Sequence, residues 1–145
     1  MSAGPVARRR AAAVALLVAT IALGLATHFA LPDTAVSDIG GDALYTIAIY
    51  LAVALLAPRV RPAMCAGVAI GWSFAVEVLQ LTDLPASAAA IFPPARLVLG
   101  SGFDPRDLLV YTLAGAFAFA VDVTLTRIRN QRDARARPAR ATLLQ

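Results

Sequence analysis

Residues 11–31 carry no charge, and this run sits directly behind the triplet Arg8-Arg9-Arg10. A helix needs roughly 20 apolar residues to cross a hydrocarbon core of about 30 Å, so the run is long enough to span a bilayer unaided. Three more apolar runs follow, at residues 43–57, 63–81 and 108–126, interrupted only by Glu77 in the third and Asp122 in the fourth. With 59% hydrophobic and 15% charged residues in a chain of 145, the apolar surface exceeds what a soluble domain of this size can hide. This excludes a soluble enzyme with its own core and a disordered chain. The single cysteine, Cys65, excludes an internal disulfide. The expected fold class is all-α, an integral membrane bundle of four transmembrane helices. The run at 43–57 is short for a span and requires extension through Gly40 and Gly41, or a bilayer thinned at its ends.

The basic residues orient the spans. All thirteen are Arg, which reads as a GC-rich bacterial coding bias. Short cytoplasmic loops carry the Arg excess in membrane proteins. With four spans, eleven arginines fall on one side: Arg8, Arg9 and Arg10, Arg59 and Arg61, and the six from Arg127 to Arg140. Only Arg96 and Arg106 fall on the other. The expectation is a multi-pass protein of the bacterial inner membrane with both termini cytoplasmic. Residues 1–10 form a cytoplasmic N-terminus, 11–126 the membrane domain, and 127–145 an Arg-rich disordered tail held at the anionic inner leaflet. The first span has the positive start of a signal peptide, with Gly24-Leu25-Ala26 as a weak cleavage site, but its length favours an uncleaved helix. The net charge of +4 reports topology rather than a nucleic-acid partner, since no aromatic is interleaved with the tail arginines to stack a base.

The connection from Thr82 to Arg106 is long for so small a bundle. Within it, residues 86–99 are apolar, broken by Pro93-Pro94 and too short to cross. A re-entrant or interfacial segment is expected between the third and fourth helices.

A charge inside a span costs roughly 2.5–3.5 kcal/mol on insertion scales, so each one calls for a partner or a purpose. Ser73, Glu77 and Gln80 recur at i, i+4 and i+7 and share a stripe of the third span. Asp42 and Tyr45 share a face at the start of the second. Asp107, Tyr111 and Gly115 stack at i, i+4 and i+8 at the start of the fourth. The topology therefore brings Asp42, Tyr45, Glu77, Gln80, Arg96, Arg106, Asp107 and Tyr111 to one depth on the outer side, as candidate ligand-binding residues. Structural roles compete with this reading. Asp104 before Pro105 has the form of a helix N-cap, Asp107 suits a first turn, and Asp42 after two glycines suits a cap. Glu77 has no such local role, and an ion pair to Arg96 or Arg106 would account for it. Asp122 is expected to pair with Arg127 or Arg129. One His and one Cys on opposite sides supply no metal set, and no cofactor is expected.

The succession of Asp42 with Tyr45, then Glu77-Val78-Leu79-Gln80, Arg96, and Asp107-Leu108-Leu109-Val110-Tyr111 with Gly115 resembles domain of unknown function family 2809. These are small bacterial membrane proteins with an Asp-Ala-Leu-Tyr start and an Asp-Leu-Leu-x-Tyr element, both present here. More distantly it is similar to the VanZ-like family, which shares an Asp, a Glu-x-x-Gln, an Arg and an Asp with a following Gly. There a His usually stands at the position of Tyr45 and an Asn at that of Tyr111. The resemblance implies an envelope-associated membrane protein.

Two functions fit. In the first, an outward-facing polar pocket binds a lipid headgroup or a lipid-linked envelope precursor. Arg96 and Arg106 hold phosphate, and Glu77 and Gln80 bond hydroxyl or amide groups. In the second, a membrane-embedded enzyme acts on such a lipid with Glu77 as general base and Asp107 as its acidic partner. The absence of a nucleophile beside a His weighs toward the first. Membrane lipids are the expected partners.

Overall fold

The computed structural model describes residues 4–100 and 102–142; residues 1–3 of the N-terminal segment and 143–145 of the tail lie outside them. Six helices follow in chain order: α1 (Pro5–Ala30), α2 (Ala35–Leu56), α3 (Pro62–Leu79), α4 (Leu84–Ile91), α5 (Ala95–Leu99) and α6 (Pro105–Thr142), with no strand among the described residues. Proline sets three of the starts. Pro5, Pro62 and Pro105 each stand at the first helical position, where a missing N–H loses no bond and the fixed φ suits the helix. The chain is an all-α bundle whose α1, α2, α3 and α6 are long and apolar enough to cross a membrane.

The short second run resolves in favour of extension. α2 starts at Ala35, and its 22 residues span about 33 Å at 1.5 Å per residue. The start is set by a capping box, in which the Thr34 side chain accepts the Ser37 amide and the Ser37 side chain accepts the Thr34 amide. Gly40 and Gly41 lie within the helix. Asp42, in its second turn, is therefore not a cap. Asp104 does act as one, since its Oδ1 accepts the Arg106 amide at 2.9 Å. α6 runs unbroken to Thr142, so residues 127–142 are helical where the composition pointed to disorder. Alanine and arginine are both strong helix formers, and here they continue a helix already nucleated in the membrane domain.

α2 is the central element. It packs against α1, α3 and α6, and α3 packs against α6. A three-helix seam between α2, α3 and α6 results, with α1 laid along α2. The core is small-sided: Tyr50, Ala54, Cys65, Ala66 and Ala69 are buried together, with Ile49, Val53, Val60 and Ala118 packed on them. Small residues let membrane helices approach closely, because packing rather than water exclusion drives their association. Gly115 is where this matters most, since a Cβ there would lie 2.5 Å from Ile70 Cγ1 across the α3–α6 contact. The large apolar side chains of α6, such as Leu109, Leu113 and Phe117, point outward. α4 and α5 pack on one another and α5 touches α3. At eight and five residues they are too short to cross, and Ile91 at the end of α4 and Phe92 after it are exposed, as an interfacial segment requires.

Candidate functional site

Glu77 is the natural starting point, because it is fully buried one turn before α3 ends. Its two oxygens are both occupied. Oε1 accepts the Asp104 amide at 2.5 Å, and Oε2 accepts the Tyr111 hydroxyl at 3.1 Å. The carboxyl thus ties the end of α3 to the chain entering α6 and to the second turn of α6 itself. The Tyr111 hydroxyl also lies 3.5 Å from Asp42 Oδ1, which brings α2 into the same joint. Asp107, one turn before Tyr111, places a third carboxyl beside Asp42 and within coulombic reach of Glu77. Asp42, Glu77, Asp107 and Tyr111 are therefore brought together as helix register and topology dictate.

The other four candidates go elsewhere. Tyr45 accepts the Trp72 indole N–H at 2.8 Å. Gln80 donates to the Leu99 carbonyl at 2.8 Å, and its Oε1 is buried with no partner among the described residues. This amide lies directly under Gly100, whose φ of 68° and lack of a side chain admit it. Arg106 does not reach Glu77. It is bonded to Asp104 through Nε, at 2.8 Å, and through Nη2, and those hydrogen bonds hold the Asp104 carboxyl below the usual carboxylate range. Arg96 does not reach Glu77 either: among the described residues the ion pairs are Arg106–Asp104 and Arg9–Asp122. Instead Arg96 lines a shallow cavity of about 200 Å³ with Pro85, Ala86, Ala89 and Gly100. The expected ion pair to Glu77 is absent because the buried carboxyl is already met by two neutral donors, while Arg106 has a carboxylate two residues away.

A second polar group occupies the Arg-rich end of the seam. Arg9 of α1 donates to Asp122 Oδ2 at 2.9 Å and to the carbonyls of Pro58 and Val60 at 2.8 and 3.1 Å. The Tyr50 hydroxyl donates to the same Asp122 oxygen at 3.0 Å. Asp122 thus pairs with Arg9, not with Arg127 or Arg129. Between the two ends, the Thr46 and Ser73 hydroxyls meet at 3.1 Å, both fully buried. Sequence reasoning missed Arg9, Thr46 and Tyr50. Their signal was the stacking of Asp42, Thr46 and Tyr50 at i, i+4 and i+8 on one span, and an Arg at the same depth as Asp122.

The arrangement limits the chemistry available. A general base must come within reach of a substrate proton, and Glu77 is fully buried with each oxygen already accepting one hydrogen bond, so it presents no opening to a substrate from outside. No group of three His, Cys, Asp or Glu among the described residues is placed to hold a metal ion. Asp42 and Asp107 are half-buried, and Arg96 is exposed and lines its cavity.

Neither a curated protein sequence nor a solved structure matches the chain. Residues 31–116, more than half of it and all of the α2, α3 and early α6 seam, match one family, and by that match the chain belongs to the family described as protein of unknown function (DUF2809).

Proposed function

We propose that this is a small bacterial cell-membrane protein that holds the anionic headgroup of an outer-leaflet lipid, or of a lipid-linked envelope precursor, at Arg96. The reading rests on one observation: Arg96 lines a cavity of about 200 Å³ with no carboxylate in ion-pair range among the described residues. An unpaired guanidinium offers a planar fork of donors that fits phosphate. The cavity's other lining residues, Pro85, Ala86, Ala89 and Gly100, bring no carboxylate to compete. Exposed Ile91, Phe92, Leu97 and Val98 flank this segment and supply apolar surface for acyl chains. Arg106, bonded to Asp104, takes no part.

The Arg distribution supports an outward site with both termini cytoplasmic. Cysteine at Ser87 is expected to react with an impermeant thiol reagent on intact cells, whereas cysteine at Arg61 or Ala134 is not; the reverse pattern would turn the site inward. Native mass spectrometry in mild detergent tests the ligand. Wild type is expected to carry a bound lipid that Arg96→Gln loses with its melting temperature unchanged, and equal lipid retention by the variant would remove Arg96 from the site.

A further inference from the structure

Every buried polar side chain among the described residues, Thr46, Ser73 and Glu77, lies on the seam between α2, α3 and α6. The two buried tyrosines, Tyr50 and Tyr111, point their hydroxyls into the same seam. Ordered along the membrane normal, the groups form one column. Asp42 and Asp107 stand at the Arg-poor end, followed by Tyr111 and Glu77, then the Ser73–Thr46 hydroxyl pair, then Tyr50, and finally Asp122 with Arg9. Both ends are wet. Asp42 and Asp107 are half-buried, and the Asp122 and Arg9 side chains are 22% and 25% exposed, while Thr46, Ser73 and Glu77 between them are sealed.

The geometry points to a proton path along this column, from the carboxyls at the Arg-poor end to Asp122 at the Arg-rich end. Ionisable groups inside membrane segments mark such relays, and each member here both accepts and releases a proton. A proton arriving on Asp42 or Asp107 passes to the Tyr111 oxygen as Tyr111 gives its own to Glu77 Oε2. Glu77 passes one toward Ser73, whose hydroxyl exchanges with Thr46. Thr46 hands one to Tyr50, Tyr50 gives its own to Asp122 Oδ2, and Asp122 releases one to water. One proton enters, one leaves, and no other bond changes; the transmembrane potential or pH difference drives the transfer.

Two steps are longer than a direct hydrogen bond, Glu77 to Ser73 and Thr46 to Tyr50. In each the two residues lie four apart on one helix, about 6 Å along the axis, and the path needs water to enter the seam between them. The exit has a feature suited to the task. Arg9 remains held by the Pro58 and Val60 carbonyls when Asp122 takes up a proton, so the joint need not open. Besides Arg9 and Tyr50, Cys65 faces this carboxylate; at the other end Asp104 and Arg106 face Asp107.

Helix–helix adhesion by the same hydrogen bonds would need no transport, and the two are separated by flux. The full chain is reconstituted in vesicles of phosphatidylethanolamine and phosphatidylglycerol with a pH-sensitive dye inside, and a potassium gradient with valinomycin sets the potential. Wild type is expected to acidify the lumen faster than protein-free vesicles. Thr46→Val, which keeps the branched shape and removes one hydroxyl, and Glu77→Gln are each expected to fall to the protein-free rate. Thr112→Val, which removes an exposed hydroxyl bonded only to its own helix, is expected to keep the wild-type rate. Circular-dichroism melting confirms folding of each variant, and Thr46→Val carries the test if Glu77→Gln does not fold. A wild-type rate equal to that of protein-free vesicles, or an undiminished rate in folded Thr46→Val, would overturn the proposal.

Discussion

The two ends of the α2–α3–α6 seam bury carboxyl groups by different means. At the Arg-rich end a single carboxylate, Asp122, meets a single cation, Arg9, and Tyr50 and two carbonyls complete their bonding. That joint is charge-balanced and partly exposed. At the Arg-poor end three carboxyls and a tyrosine gather, and the most buried of them, Glu77, is met by a backbone amide and a phenol rather than by an arginine. A buried carboxyl bonded to neutral donors does not need a partner charge brought out of water, a step whose desolvation can exceed the attraction gained. Glu77 and Tyr111 already link α3 to α6. Asp42 and Asp107 add two carboxyls beyond what that link uses, whereas the Arg-rich end has no surplus.

Breaking the Arg-poor joint has the largest expected effect. Glu77→Ala leaves the Asp104 amide without an acceptor, at about 1–3 kcal/mol for a stranded donor, and leaves the Tyr111 hydroxyl only its 3.5 Å contact with Asp42. The melting temperature in detergent should drop sharply, and an unchanged value would mean that this end does not hold the bundle. Next comes the packing between the two ends. Gly115→Ala drives a methyl into Ile70 and is expected to cost about 1–3 kcal/mol as an overpacked core does; denaturant titration measures it, and a neutral result would mean that α6 can retreat from α3 freely. The smallest effect belongs to the Arg-rich joint. A double-mutant cycle of Arg9→Ala and Asp122→Ala should give a coupling of about 0.5–2 kcal/mol. Because both side chains are about a quarter exposed, the coupling should shrink as salt is raised. A coupling insensitive to salt would place this pair as deep as Glu77 and erase the contrast between the ends.

How much of this was legible beforehand varied by residue. Glu77, Tyr111, Asp42 and Asp107 were found because helix periodicity names a face and an alternating topology names a depth, and together these suffice to make residues on three spans converge. Arg106 was misplaced because periodicity says nothing of a competing carboxylate two residues away. Asp104 both caps α6 and binds that guanidinium. Tyr45 was misplaced because a tyrosine one turn from Asp42 can face either side of its stripe, and the Trp72 indole N–H decides which. Asp122 was assigned to arginines on its own helix, although Arg9 reaches it from 113 residues away.

The sequence by itself determined the membrane as solvent, the number of spans, the Arg asymmetry between the two ends, and the interfacial segment between α3 and α6. Each of these depends on the length or composition of a contiguous stretch, and the bilayer reads those properties one segment at a time. Only the tertiary structure decided which donors meet Glu77, that Arg9 reaches Asp122 at the far end, that Arg96 is left at its own cavity, and that the Thr46 and Ser73 hydroxyls meet between the two ends. Such pairings depend on side-chain reach and on helix approach to within a methyl group at Gly115, and both are fixed only when α2, α3 and α6 are packed together.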